Sequence, residues 1–137
     1  MTTSNEQGAA PALSDAEKLA IAERFAAASR TNNGEAYRAL CAADAVTWHN
    51  FDDAEVTTEQ TVRTVAWLHR TVPDLTWTDM AFNLTPTGWV SQTVMTGTAP
   101  GGPLRVHSCV IVTLGAGGLV TRVEEYLDPT QTAVLRG

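Results

Sequence analysis

The sequence predicts a single domain of the α+β class. Three segments in the first half carry apolar residues at helical spacing, and four β-rich runs follow from residue 75 onwards. Short breaks containing Gly and Pro separate those four runs, as is typical of antiparallel hairpins. A chain of 137 residues has the length of one domain, and helices followed by an antiparallel meander indicate α+β architecture.

The first helix is predicted after a polar N-terminal stretch. Residues 1–12 are rich in Thr, Ser, Gly, Ala and Pro, so we expect a disordered tail there and one folded domain over residues 13–137. Ser14, followed three residues later by Glu17, is a capping-box signature. The helix then runs to about residue 30, and its predicted inner face carries Leu19, Ile21, Ala22, Phe25, Ala26 and Ser29.

The pair Asn32–Asn33 with Gly34 ends that helix, because these residues tolerate left-handed backbone conformations. A shorter helix is expected next, with Ala36, Tyr37, Leu40 and Cys41 on its inner side. Residues 44–50 have a β-branched and aromatic centre, which predicts the first strand, and the acidic residues 51–55 predict a loop. A third helix is predicted over residues 58–72, ended by Pro73.

The remaining strands are predicted over residues 75–84, 89–98, 104–114 and 119–127. The breaks between them lie at residues 85–88, 99–103 and 115–118, each containing glycine and each short enough for a hairpin. No second domain and no internal repeat are indicated.

Composition and charge narrow the function classes. Asp and Glu number 15 against 9 Lys and Arg, so the net charge of −6 disfavours nucleic acid and anionic membranes as partners. No apolar run approaches the roughly 20 residues that cross a bilayer. Cys41 and Cys109 lie far apart, and the N-terminus lacks the features of a signal peptide. We therefore expect a reduced, cytoplasmic protein.

Several strings resemble one superfamily. They are Asn33-Gly34-Glu35-Ala36 through Ala43-Asp44-Ala45-Val46, then Val72-Pro73-Asp74-Leu75, and finally residues 118–128 with the sequence GLVTRVEEYLD. Together with the order of elements, they resemble the nuclear-transport-factor-2-like superfamily, in its SnoaL-like and ketosteroid-isomerase-like branch. The resemblance covers residues 14–130 and implies a cone-shaped, curved, mostly antiparallel sheet packed on three N-terminal helices. It also implies an apolar pocket, and a homodimer formed through the outer face of the sheet.

Two comparisons within the superfamily bear on chemistry. At the positions of the tyrosine and two aspartates of ketosteroid isomerases, this chain has Phe25, His49 and Cys109, so that mechanism is not predicted. The motif of limonene epoxide hydrolases is similar to Trp48-His49-Asn50, and their later aspartate corresponds to Glu125. Their arginine–aspartate pair has no counterpart in Val94-Met95-Thr96.

His49 is the leading candidate for a catalytic residue. A histidine titrates near pH 6.5, so its imidazole can take up and return a proton at neutral pH. Strand alternation places Trp48 and Asn50 on one face and His49 on the other, and only one of these sets can face the interior. The alternative is a surface histidine before an acidic loop.

Glu125 is the second candidate. Alternation sends one of Glu124 and Glu125 inward, and the epoxide-hydrolase comparison implies Glu125. A carboxyl group in an apolar cavity can serve as a general acid or base. The alternative is a surface glutamate paired with Arg122 or Arg105.

His107 is a third candidate. It shares a strand face with Cys109, so the two would enter the pocket together or not at all. Two such residues are too few ligands for a zinc site, and no metal or cofactor is predicted.

The resulting hypothesis is a cofactor-independent enzyme that isomerises, cyclises or dehydrates an apolar oxygenated molecule, such as a polyketide, terpenoid or steroid-like compound. His49, Glu125 and His107 would be catalytic, and Phe25, Trp48, Asn50 and Cys109 would line the substrate pocket. Two alternatives stay open: a noncatalytic ligand-binding or dimerisation module on the same fold, and an epoxide hydrolase.

Overall fold

A computed structural model describes residues 12–137, so the predicted tail over residues 1–12 lies almost wholly outside the described residues. Three α-helices and six strands follow in the order α1 (Asp15–Arg30), α2 (Gly34–Leu40), β1 (Cys41–His49), β2 (Ala54–Thr57), α3 (Thr58–Thr71), β3 (Thr76–Thr85), β4 (Gly88–Ala99), β5 (Gly102–Leu114) and β6 (Val120–Leu127). A 3₁₀ turn, Ala116–Gly118, precedes β6, and a 3₁₀ segment, Pro129–Arg136, closes the chain. The predicted α+β class is confirmed.

Capping residues define where the helices begin. Ser14 accepts from the backbone N–H of Glu17, and the Glu17 carboxylate accepts from Ser14 N–H, which completes the predicted capping box. Thr57 and Gln60 form a second capping box at the start of α3. Each box satisfies two backbone donors that the first helical turn would leave unpaired.

The inner face of α1 differs from the predicted one. The buried residues are Lys18, Ile21, Ala22, Phe25 and Ala28, whereas Leu19 is exposed. Lys18 is buried because its ammonium group donates to the carbonyl of Thr85, at 2.6 Å, which holds α1 against the end of β3. A buried charge with such a partner is tolerated, and hydropathy alone did not indicate it.

The six strands form one sheet in the order β2-β1-β6-β5-β4-β3. All neighbours are antiparallel except β1 and β6, which pair in parallel. This parallel pairing places the C-terminal ends of β1 and β6 side by side, although about 75 residues separate them in the sequence. Residues that are distant in sequence therefore lie side by side at the C-terminal ends of these two strands.

Two local predictions are corrected. Ala54 and Glu55 were expected in a loop, but they begin β2, which pairs with β1 through Trp48–Glu55 and His49–Ala54. The first strand begins at Cys41, earlier than predicted, because its first residue already pairs with Val120 of β6. Tertiary pairing, rather than local β-propensity, decides both boundaries.

Two apolar clusters lie between the helices and the inner face of the sheet. The first contains Ile21, Ala22, Phe25, Ala28, Tyr37, Trp89, Val112, Val120 and Val123. The second contains Val72, Ala99, Leu104, Val106 and Leu135, so the C-terminal 3₁₀ segment contributes to it. In the described part of the chain, no helix is both long and apolar enough to cross a membrane.

Candidate functional site

The structure brings together His49 at the end of β1 and Glu125 on β6. The two residues are direct partners in the parallel register, and His49 Nε2 lies 3.2 Å from Glu125 Oε1. Their side chains are 22% and 28% exposed, so the pair is largely shielded yet reachable from solvent. An imidazole and a carboxylate in this contact form an acid–base pair.

Both groups lie on the inner face of the sheet. Val123 packs in the first apolar cluster, and Glu125, two residues further along β6, has the same orientation. Glu124 has the opposite orientation, and its carboxylate accepts from Arg122 Nε at 3.3 Å. The glutamate that the epoxide-hydrolase comparison implied is therefore the one that meets His49.

The surroundings favour the charged form of His49. Its pKa is raised, first by the hydrogen bond with Glu125, and burial opposes this effect. The negative charges of Glu125 and Asp52 raise the pKa further. The Phe51 ring lies 5.1 Å from the imidazole and covers part of it, although Phe51 itself is 47% exposed. These contacts together favour the protonated imidazole of His49.

Tyr37 on α2 is a neighbour of this pair that sequence reasoning treated only as an inward-facing helix residue. It is buried, and its ring lies 4.9 Å from that of Phe25. Burial raises the pKa of Tyr37 far above its usual value; its hydroxyl also interacts with Thr47 and lies within the field of Glu125. Thr47 in turn accepts a hydrogen bond from Thr61 of α3, at 3.2 Å. The only sequence signal was its position on the inner side of α2.

Trp48 and Asn50 stabilise the strand end around His49. Trp48 has the opposite orientation to His49, donates from Nε1 to Asp53 at 2.7 Å and packs edge-on against Tyr126. Asn50 Oδ1 accepts from the backbone N–H of Leu127, at 3.0 Å, which ties the end of β1 to the end of β6. These contacts hold the end of β1, and thus His49, in place. Neither Trp48 nor Asn50 directs its side chain at the imidazole of His49.

The other predicted site residues lie elsewhere. His107 and Cys109 share a face of β5, as expected, but Val106 and Val110 alternate with them and pack against the apolar clusters. His107 and Cys109 therefore face the outer side of the sheet, and His107 is exposed. Phe25 is 9% exposed, lies among Tyr37 and Trp89, and forms part of the packed core.

Two hollows lie beside the helices. One hollow of about 10 Å³ lies between α1, α2 and α3 and borders Tyr37 and Val62; it has room for about one water molecule. A second hollow, of about 400 Å³, opens along α1 and α2 beside Ala27, Ala36 and Leu40. Neither is lined by His49 or Glu125. Within residues 12–137, no group of three or more His, Cys, Asp or Glu side chains is arranged to hold a metal ion.

Comparisons with known proteins bear on the fold. The sequence matches no protein-family model, and no curated protein sequence matches it. Among solved structures, PrhC from Penicillium brasilianum is similar at a TM-score of 0.75 and 15% identity, over 86% of this chain and 84% of that one. A protein assigned as a SnoaL-like polyketide cyclase, from Jannaschia sp. CCS1, is similar at a TM-score of 0.74 and 17% identity, over 95% and 99% of the two chains.

A third similar structure is a hypothetical protein from Catenulispora acidiphila with a ketosteroid isomerase-like fold, in complex with trimethylamine. It has a TM-score of 0.65 and 22% identity, and the match covers 77% of this chain and 83% of that one. At these identities the likeness concerns the fold alone. The chain therefore has the α+β cone fold of SnoaL-like polyketide cyclases and ketosteroid isomerase-like proteins, as the sequence strings predicted.

Proposed function

We propose that this protein is a cofactor-independent enzyme that moves a proton on an apolar, oxygenated small molecule, with His49 and Glu125 as its acid–base pair. The observation that carries the proposal is their contact, 3.2 Å between Nε2 and Oε1 on the half-shielded inner face. A surface histidine would not need a carboxylate partner that the fold brings from a strand about 75 residues away.

The proposed step is proton abstraction next to a carbonyl group. Neutral His49 takes the proton from carbon, the C–H electron pair moves to form an enolate, and Glu125 stabilises the imidazolium that results. Return of the proton to another atom completes an isomerisation. Attack of the enolate on a second carbonyl forms a carbon–carbon bond and an alkoxide, which takes the proton from the imidazolium and so completes a cyclisation. No electron acceptor or external reagent is needed for either outcome.

The similar solved structures support this reaction class but not a particular substrate. One of them is assigned as a SnoaL-like polyketide cyclase, and another has a ketosteroid isomerase-like fold. Five other residues predicted for the site take no part in the proposed step. Phe25 lies in the core, Trp48 and Asn50 stabilise the end of β1, and His107 and Cys109 lie on the outer face.

A noncatalytic ligand-binding module is the second candidate function. The hollow of about 400 Å³ along α1 and α2 favours it, since a ligand bound there would not lie against His49 or Glu125. The two candidates differ in one measurable property: an acid–base enzyme exchanges carbon-bound protons of a bound ketone, and a binding module does not.

The test measures deuterium incorporation next to the carbonyl of apolar ketones, beginning with 1-tetralone, in D₂O at neutral pH by NMR. We expect exchange above the buffer rate, and a loss of about 10²-fold or more in His49→Gln. Glu125→Gln should also lose activity, because the imidazolium would have no carboxylate partner.

The chain offers matched controls for both substitutions. His107→Gln removes an exposed imidazole on the outer face, and Glu124→Gln removes the adjacent carboxylate of opposite orientation. Both should keep the exchange rate of the parent. Exchange at the buffer rate with every ketone, or equal losses in the control variants, would contradict the proposal and favour the binding module. Hydrolysis of an epoxide by the same protein would favour the epoxide-hydrolase alternative.

A further inference from the structure

A second polar feature of the inner face lies on β5, which neighbours β6, and on β4, the strand beyond β5. Thr93 of β4 and Ser108 of β5 are direct partners in the antiparallel register, and their hydroxyl oxygens are 3.2 Å apart. Ser108 alternates with outward-facing His107 and Cys109 and has the same orientation as Val106 and Val110. The two hydroxyls are therefore on the same face as Glu125.

This hydroxyl pair has one hydrogen-bond donor left over. Each hydroxyl group has a single proton, and the mutual bond uses only one of the two. Neither side chain makes another hydrogen bond among the described residues. Both residues are half-buried rather than fully enclosed, which leaves the remaining donor able to meet a ligand on this face.

The hydroxyl pair lies beside the proposed acid–base groups, and apolar side chains continue the same face. Glu125 is opposite Val110, which makes Ser108 its diagonal neighbour, at the roughly 7–8 Å usual for such positions. Met95 and Val106, which continue the same face, pack against the second apolar cluster. A small molecule lying on this face could place one oxygen at the hydroxyls and a neighbouring carbon at the pair.

The charges around the hydroxyls disfavour an anionic group. Asp79 is the register partner of Thr93, and Glu125 lies on the other side. Arg30 of α1 is already bound to Asp79, at 2.5 Å. A ligand carboxylate or phosphate would therefore meet the carboxylates of Asp79 and Glu125, whereas a ketone or alcohol oxygen needs only the spare hydroxyl proton.

We propose that Thr93 and Ser108 form a subsite for the uncharged oxygen of an otherwise apolar ligand. The inference rests on the proposed function for the assignment of that ligand as a substrate. During proton abstraction, the same donor would bind the oxygen on which negative charge develops, which is where a hydrogen bond accelerates the reaction most.

The test measures binding rather than turnover. The probes are 1-tetralone labelled with ¹³C at the carbonyl, tetralin, which lacks the oxygen, and 1-naphthoate, which carries a carboxylate. We expect the parent protein to bind 1-tetralone about 5-fold more tightly than tetralin, as one neutral hydrogen bond implies, and to bind 1-naphthoate most weakly. The carbonyl ¹³C signal should move downfield on binding.

Thr93→Val and Ser108→Ala each remove one hydroxyl with little change of shape. The double variant should lose the preference for 1-tetralone and the ¹³C shift, while its affinity for tetralin stays within about 2-fold of the parent. Thr78→Val is the matched control, because Thr78 is exposed, lies on the same sheet and pairs with outward-facing Val94. It should behave as the parent does, and thermal unfolding of each variant verifies that it is folded.

Three results would overturn the subsite: no binding of 1-tetralone to the parent, an unchanged preference in the double variant, or binding of 1-naphthoate as tight as that of the ketone. His49→Gln should retain the preference, since it leaves both hydroxyls in place. Binding of 1-tetralone without deuterium exchange would therefore refute the enzyme proposal and leave the subsite intact. Deuterium exchange with no preference for 1-tetralone that depends on Thr93 and Ser108 would refute the subsite and leave the enzyme proposal intact.

Discussion

The contact between His49 and Glu125 makes a quantitative prediction about stability. Each residue is replaced by Gln, singly and together, and the free energy of unfolding of the four proteins yields the coupling between the two side chains. Exposed ion pairs contribute about 0.2–1 kcal/mol, and removing one partner of a fully buried pair costs about 3–5 kcal/mol. With exposures of 22% and 28%, this pair lies between those limits and nearer the first, so we expect a coupling of about 1 kcal/mol at pH 5.5.

The sign of its pH dependence follows from the raised pKa of His49. A histidine whose pKa is higher in the folded than in the unfolded state stabilises the fold fully below the unfolded value of about 6.5. That contribution is lost as the pH rises through the folded-state pKa, because the imidazole becomes neutral in both states. The coupling should accordingly be smaller at pH 9 than at pH 5.5.

Urea unfolding monitored by tryptophan fluorescence at the two pH values measures this coupling. The matched control is the same cycle with Glu124→Gln in place of Glu125→Gln, and we expect it to show no coupling to His49, because Glu124 faces the other side of the sheet. A coupling near zero at pH 5.5, or one that grows towards pH 9, would show that the imidazole and the carboxylate are not ionically paired.

Further substitutions test the core, a helix cap and the association state. Phe25→Ala should lower the free energy of unfolding by about 3–5 kcal/mol in urea titrations. Its control, Phe82→Ala at an exposed ring, should lower that free energy by less than about 1 kcal/mol. Equal losses in the two variants would mean that Phe25 lines open space. Ser14→Ala should cost about 1 kcal/mol by the same measurement, since it removes the capping box of α1; no loss would mean that this cap is dispensable. The homodimer stays a prediction, and light scattering of the parent protein should give the mass of two chains. Tyr126→Asp, on the outer face, should give the mass of one chain. A parent protein that is monomeric at 100 µM would contradict the prediction.

The organisation of the chain into elements could be predicted from local patterns. Ser14 with Glu17 marked the start of α1, and the glycine-containing breaks after residues 84, 98 and 114 marked the turns of the meander. Both signals are local, because a cap or a tight turn acts within about four residues of chain. Strand β2 was missed because it is only four residues long, follows an acidic stretch and depends on pairing with β1.

The candidate site could be predicted only in part. Period-two alternation correctly grouped His107 with Cys109 and separated Trp48 from His49, but alternation does not say which face is inner. Ser108 was passed over for the same reason, since its neighbours His107 and Cys109 carry the more conspicuous chemistry. Phe25 was predicted to line a pocket because its position corresponds to a catalytic tyrosine of related proteins, and only packing against Tyr37 and Trp89 places it in the core.

The amino-acid sequence by itself determined which segments become helices and strands, and which residues have side chains able to transfer a proton, because propensity, capping and the identity of a functional group belong to short segments. The tertiary structure decided which of those residues meet. A parallel pairing of β1 with β6 places His49 against Glu125, and the packing of α1 against Val112 and Val123 defines the inner face. Contacts of that kind join residues far apart in the chain, and they depend on the summed packing of the whole domain rather than on any local pattern.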